Sequence, residues 1–282
     1  MQHEDNPKSI KYYVKRWILA KGSWWENKVV IDFPAGNGVT TKLLDDAKAN
    51  VVPMDLFPEY YQLSQPECVR ANIREGLPVE DALADCLVCQ EGIEHFSDQF
   101  SALQEFNRTL KMGGTLLITT PNYSNLRSRM SYLLMESERF NDIMPPNELD
   151  SIWMTNENLS SEIYFGHIFL IGIQKLRVLA KLSGFRIEKV HFTRAKSTSV
   201  LLFPLLYPFI YLSNWRTYRK NLKKNQLFDE ETKQNTYREI FKLATNRKIL
   251  IGGDLMVEFV KEKNYHEVIH DLRSQHKEFG AT

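Results

Sequence analysis

The chain has 282 residues, enough for one large α/β domain with insertions or for two small domains. Apolar residues make up 43% and charged residues 25%, as in an ordinary globular protein, and a formal net charge of +1 argues against nucleic acid as an electrostatic partner. Three cysteines (Cys68, Cys86, Cys89) do not make a disulfide framework and fit a reducing cytoplasm, and the polar opening Met1-Gln2-His3-Glu4-Asp5-Asn6 does not read as a signal peptide.

Asn6-Pro7 predicts a helix start, an N-cap followed by proline at the first helical position. The helix should run through Tyr12, Tyr13, Trp17 and Ile18 and stop near Gly22. Next, Val29-Val30-Ile31 is an apolar run closed by Asp32, and Phe33-Pro34-Ala35-Gly36-Asn37-Gly38 leads into Val39-Thr40-Thr41. That pattern predicts a buried parallel strand over 28–32, a tight turn, then a helix over about 38–47 with Leu43 and Leu44 facing the sheet. Glycines in such a turn let the backbone approach a ligand closely. A second strand is predicted over 50–54, ending at Asp55, and a third over 68–71, followed by Asn72-Ile73.

The fourth strand is predicted over 85–89. Cys86 and Cys89 have the spacing of a metal knuckle, but residues three apart on a strand face opposite sides and no second pair follows, so no metal site is expected. Gln90-Glu91-Gly92-Ile93-Glu94-His95 comes next, then a helix over 98–111 carrying Phe100, Leu103, Phe106 and Leu110 at helical spacing. A Gly113-Gly114 turn should open a fifth strand, Thr115-Leu116-Leu117-Ile118-Thr119-Thr120. Further on, a helix is predicted over 173–182, ended by Gly184, with a sixth strand over 185–192 and a last one over 254–260.

These segments together resemble the class I S-adenosylmethionine-dependent methyltransferases, well over about residues 25–125 and more loosely to 194. The family's first motif, Asp/Glu-x-Gly-x-Gly-x-Gly, is matched by Asp32 to Gly38, with Pro34 in place of the first glycine. Glu94-His95, the Gly-Gly turn and His167-Ile168 before a helix are the other shared features. The resemblance implies an α/β, Rossmann-like sheet of seven strands in the order 3-2-1-4-5-7-6, with strand seven antiparallel, helices on both faces and a helical insertion. It implies S-adenosyl-L-methionine as cofactor and S-adenosyl-L-homocysteine as product. The residues it points to are Asp32, Pro34, Ala35, Gly36 and Gly38 in the first loop, Asp55 for the ribose hydroxyls with Leu56 beside it, and Asn72 and Ile73 at the adenine. Gln90 and Glu91 complete the cofactor set, with Glu91 and Glu94 orienting the methionine part or a histidine.

Methyl transfer from a sulfonium is an in-line displacement, so the protein chiefly aligns and desolvates the acceptor. A hydroxyl acceptor must also lose its proton, for which His95 and His167 are the candidates. His95 equally suits a structural hydrogen bond beside Glu94, and Glu91 and Glu94 equally suit capping of the next helix. No Asn/Asp-Pro-Pro-Tyr/Phe motif follows the fourth strand, which argues against methylation of base amines. The expected function is O-methylation of a glycan, a lipid-linked or another small-molecule acceptor. Other readings are a catalytically inactive adenosyl-binding scaffold, or a nicotinamide oxidoreductase, for which no suitably placed Tyr-x-x-x-Lys exists.

The expected organisation is an N-terminal helix over 1–24 covering the pocket and a core over 25–194 plus 250–264. Residues 123–166, with Arg127, Arg129 and Arg139, read as a substrate lid, and 265–282 as a polar tail. Residues 195–249 read as an apolar-basic helical insertion whose run from Val200 to Leu212 is too short and too proline-broken to span a bilayer. Trp215, Arg216, Arg219, Lys220, Lys223 and Lys224 follow. Over 200–224 this is the composition of an interfacial membrane element on a cytoplasmic protein, or of a lid or dimer-forming hairpin whose apolar face is buried in protein.

Overall fold

The structure is a computed structural model and describes residues 3–137, 144–149, 151–153 and 164–276. Its main sheet has seven strands: β1 (Val29–Asp32), β2 (Asn50–Asp55), β3 (Val69–Arg70), β4 (Ala84–Gln90), β5 (Leu110–Pro121), β8 (Phe185–Val190) and β9 (Asp254–Lys261). Their order is β3-β2-β1-β4-β5-β9-β8; the first five run parallel, and β9 is antiparallel to both neighbours. This is the predicted order, with the last strand of the chain inserted between β5 and β8. A separate two-stranded ribbon pairs β6 (Ile152–Trp153) with β7 (Tyr164–Phe165).

Alternation along the strands builds two cores. Val30, Cys86 and Val88 face one side, where they meet Trp17 and Ile18 of α1 (Ile10–Ala20), Trp25, and Leu44 of α2 (Val39–Asp46). Ile31, Leu87 and Cys89 face the other, against Leu103 and Phe106 of α3 (Gln99–Thr109) and Leu176 of α5 (Ile173–Leu182). Cys86 and Cys89 therefore sit on opposite faces, as their spacing predicts. Burial pushes the thiols up, Cys68 to about 12.

The remaining helices are α4 (Leu126–Met135), α6 (Ser197–Leu222), α7 (Glu230–Ala244), α8 (Arg247–Ile251) and α9 (Tyr265–Ser274). Glu258 on β9 pins α1 to the sheet. Its carboxylate accepts from Trp17 Nε1 (3.1 Å), Lys21 Nζ (2.8 Å) and His191 Nε2 (2.9 Å).

Three local expectations are corrected. The first helix is capped by Ser9, whose Oγ accepts from the Lys11 amide, while Asn6 closes a preceding turn. Gly113-Gly114 does not precede β5 but lies within it. Ala84 pairs with Leu110 and Cys86 with Thr115, so residues 111–114 bulge out of the ladder, and Gly113 supplies the φ of +75° that this needs. Pro204 and Pro208 do not break the insertion, since α6 runs through both for 26 residues. Tyr211 and Tyr218 pack on Phe241 of α7, tertiary contacts set against the roughly 3 kcal/mol that each interior proline costs. Among the described residues, no helix is long and apolar enough to cross a membrane.

Candidate active site

A cavity of about 1130 Å³ opens at the C-terminal edge of β1, β2 and β4, where a doubly wound sheet places its ligands. Nine of the eleven sequence-predicted cofactor residues line it: Pro34, Ala35, Gly36, Asp55, Leu56, Asn72, Ile73, Gln90 and Glu91. The turn after β1 is held by two bonds to β2. The Ala35 amide donates to the Met54 carbonyl (2.9 Å), and the Gly36 amide donates to Asp55 Oδ2 (2.7 Å). Gly36 has φ +55° and a Cβ there would meet nothing within 4 Å, so the backbone lies bare beside the cavity.

Asp55, 7% exposed, sits at the tip of β2. Its Oδ1 accepts from the Phe57 amide (2.9 Å), and Oδ2 from Gly36. Each carboxylate oxygen keeps a further lone pair for a ligand hydroxyl. Asn72 Oδ1 accepts from the Arg74 amide (3.1 Å), and its Nδ2 donates to Glu75 (2.9 Å). Gln90 Oε1 accepts from Thr40 Oγ1 (2.8 Å). Glu91 takes φ +51°, and its amide donates to the Thr119 carbonyl (3.0 Å).

Two predicted cofactor residues do not line the cavity. Gly38 caps α2 with φ +86°, and a Cβ there would run into Tyr61 (2.9 Å) and Leu63 (3.0 Å), so it serves packing under the loop. Asp32 is fully buried beneath the loop, with Thr41 Oγ1 donating to its Oδ2 at 2.6 Å. Burial pushes its carboxyl up to about 7, with the Asp55 charge adding and the Thr41 bond opposing. Pro34, the departure from the family motif, is accommodated by Gly92. A Cβ on Gly92 would lie 2.4 Å from Pro34 Cδ and 2.8 Å from Cγ.

The other wall comes from residues that sequence reasoning did not single out as site residues. Ser9, Ile10 and Lys11 of the first helical segment line it, with Lys11 Nζ donating to Asn37 Oδ1 (2.9 Å) and burial lowering the Lys11 ammonium. Phe57, Tyr60, Phe96, Tyr164 and Phe165 make it aromatic, and Phe57 meets Tyr164 edge-on at 5.1 Å. The Ser9 cap was a readable signal; the aromatic contributions depend on distant segments meeting.

Of the two candidate bases, His95 lines the cavity and His167 does not. Their rings lie 5.1 Å apart. His95 Nδ1 lies 3.0 Å from the Phe165 carbonyl oxygen and 3.1 Å from that of Gly166. Carbonyls only accept, so Nδ1 carries the hydrogen and the neutral ring has its lone pair on Nε2. Burial pushes this imidazole down, towards the neutral form. Glu94 is buried and accepts from Thr120 Oγ1 (2.9 Å). Glu94, His95 and His167 each bring a ligand-type atom within 4.8 Å of the others, a set with the donors to hold a metal ion, which a reading centred on Cys86 and Cys89 passed over. Arg127 lies at the start of α4, whereas Arg139 of the expected lid lies outside the described residues.

The methyltransferase-domain family model matches residues 23–190. Ubiquinone biosynthesis O-methyltransferase of Xanthomonas oryzae pv. oryzae is 24% identical over 185 residues, covering 59% of this chain and 74% of that protein. Its counterpart in Xylella fastidiosa is 25% identical over 178 residues, covering 57% and 70%. Among solved structures, a SAM-dependent methyltransferase from Archaeoglobus fulgidus aligns with a TM-score of 0.51 at 16% identity, covering 92% of this chain and 97% of that one. One from Mesorhizobium loti gives 0.51 at 12%, covering 92% and 100%. The structural likenesses support the fold.

Proposed function

Because the chain belongs to the methyltransferase-domain family and is an S-adenosylmethionine-dependent methyltransferase, we propose that its acceptor is a hydroxyl of a small molecule and that the reaction is O-methylation. The bound cofactor supplies a methyl group on a sulfonium centre, already an excellent leaving group. The chain's part is to hold, align and deprotonate. Asp55 accepts from the ribose hydroxyls, the bare backbone at Gly36 lets the cofactor approach, and Asn72 and Ile73 meet the adenine edge. Gln90, fixed by Thr40, and Glu91 face the methionine part. The aromatic wall shuts out water around the acceptor.

His95 takes the hydroxyl proton at Nε2, with His167 beside it. The observation that carries this reading is the pair of carbonyls on Nδ1, which fixes the ring and leaves the basic nitrogen on the other side. An O-methyl product is also what the names of the sequence relatives describe for those proteins. The acceptors that fit an aromatic-walled site are ring-bearing, glycan or lipid-borne alcohols.

The test is methylation, from labelled cofactor, of hydroxylated aromatic, isoprenoid and glycan acceptors by wild type and His95→Gln. The variant should keep S-adenosylhomocysteine affinity and lose roughly 10²–10⁴ in rate on hydroxyl acceptors. A rate within threefold of wild type would make His95 a structural residue. Retained cofactor binding with no turnover on any acceptor would favour the inactive-scaffold reading.

A further inference from the structure

Helix α6 has two faces with different fates. One face carries an aromatic ladder: Phe203 stacks on Tyr207 at 4.7 Å, and Tyr211, itself 45% exposed, and Tyr218 meet Phe241 of α7 at 5.3 and 5.8 Å. Its outer face exposes Leu201 (78%), Leu205 (65%), Phe209 (69%) and Leu212 (42%). Steps of four, four and three residues put these side chains in one row. The row continues with Arg216, Arg219 and Lys223, all exposed. Polarity therefore changes along the outer face, apolar in its first half and basic in its second. Trp215 stands at the junction, with the Arg219 guanidinium 5.5 Å from its ring.

Monomeric proteins expose large apolar side chains singly; a row of them is a docking surface. The basic half selects the occupant, because a partner that covers the whole row must be apolar against 201–212 and anionic against 216–223. A lipid bilayer with anionic headgroups is layered in that way, with tryptophan favoured at the boundary. The apolar half is about 16 Å long at ~1.5 Å per residue, far short of the ~30 Å hydrocarbon core. No described helix can cross that core, so the contact is interfacial.

We propose that the outer face of α6 docks this protein on anionic membranes, with Leu201, Leu205, Phe209 and Leu212 in the acyl boundary and Arg216, Arg219 and Lys223 at the headgroups. The first turn of α6 is tied to the segment after β5, where Ser199 Oγ accepts from the Arg127 amide (3.0 Å). Docking thus brings the bilayer to the edge of the sheet where the cavity opens, and the acceptor arrives on a lipid. This last consequence rests on the hydroxyl-acceptor reading; the docking surface does not.

The experiment is co-sedimentation of the full chain with phosphatidylcholine vesicles with and without phosphatidylglycerol, across a salt series, with S-adenosylhomocysteine titrated separately. Wild type should bind the phosphatidylglycerol vesicles and be released by salt. Removing the charges in R216Q/R219Q/K223Q should lower anionic-vesicle binding about fivefold per charge, about a hundredfold in all. L205D/F209D should abolish binding to both vesicle types. The triple variant changes only exposed side chains and serves as the second measurement where the double one fails to fold. Unchanged S-adenosylhomocysteine affinity in these variants separates a failed surface from a failed cofactor site. Absence of wild-type binding to anionic vesicles would overturn the proposal. So would a wild-type dimer that L205D/F209D converts to a monomer, since a second copy then covers the face.

Discussion

Asp55→Ala tests the cofactor half of the site most sharply. In the folded protein the carboxylate receives the Gly36 and Phe57 amides at 2.7 and 2.9 Å and still borders the cavity. On the proposed assignment, truncation removes the acceptor of two ribose hydroxyls, bonds to a charged group worth about 1.5–3 kcal/mol each. The affinity loss is then about 3–6 kcal/mol, a hundredfold to ten-thousandfold at ~1.4 kcal/mol per decade. Two amides also lose their acceptor, at about 1–3 kcal/mol each where water cannot reach them. Calorimetric titration with S-adenosylhomocysteine, with NADH as control, reads the first effect, and chemical denaturation reads the second. Asp55→Asn keeps one acceptor oxygen and should fall between wild type and alanine on both. A folded Asp55→Ala that binds S-adenosylhomocysteine within tenfold of wild type would refute the assignment of Asp55 to the ribose.

Gly92→Ala should cost about 1–3 kcal/mol of stability, because its Cβ meets the stiff Pro34 ring at 2.4 Å. Combined with Pro34→Gly the cost should largely vanish, and additive effects in the double-mutant cycle would show that the two residues do not press on each other. For Asp32, whose carboxyl rises from 3.8 to about 7 on burial, the folded state holds the extra proton between those values. Stability therefore falls as pH rises from about 4 to 7, by up to about 4 kcal/mol at ~1.4 kcal/mol per unit. Asp32→Asn should flatten that slope in denaturant titrations; an unchanged slope would place the titrating group elsewhere. Glu258 has the opposite sign. Burial pushes its carboxyl up, but the bonds from His191 and Lys21 outweigh it and hold the value at about 2, below its ordinary 4.5. Its stabilisation is whole above 4.5 and is lost as pH falls towards 2. Glu258→Gln should lose up to about 3 kcal/mol at neutral pH and show a shallower acid transition, and equal acid sensitivity of the two proteins would count against it.

How much of this was legible follows from what each residue type can signal. Strand tips were readable, because an apolar run ending in Asp55 or Gln90 puts a polar group at the sheet edge whatever the rest of the fold does. Gly36 and Gly38 were not distinguishable, since both have positive φ and only packing tells that one borders the cavity and the other lies against Tyr61. Asp32 was misplaced for want of an alternation argument. It shares the face of Val30, under the helix that brings Thr41, so its side chain turns beneath the loop. The aromatic wall was illegible, because Phe57, Phe96 and Tyr164 carry no local pattern that announces where they converge. The helical character of the insertion was readable, but the prolines hid that one unbroken helix, α6, runs through Pro204 and Pro208.

The two departures from the family motif bear on whether the cofactor loop is intact. A proline in a glycine position would be damaging if the loop had lost its fastenings, yet the amides of Ala35 and Gly36 both reach β2 acceptors at ordinary lengths. The ring of Pro34 occupies space that Gly92 leaves open, so the volume is conserved across the loop and not forced into the cavity. Asn72 in place of an aspartate keeps an acceptor oxygen, turned towards the Arg74 amide and still at the cavity wall, and loses only charge. An adenine amino group is neutral, so in the proposed placement of the cofactor the missing charge weakens that contact by the difference between an ionic and a neutral acceptor, about a factor of two in bond strength. In that placement neither departure removes a cofactor contact, and the inactive-scaffold reading loses the two features that would have supported it.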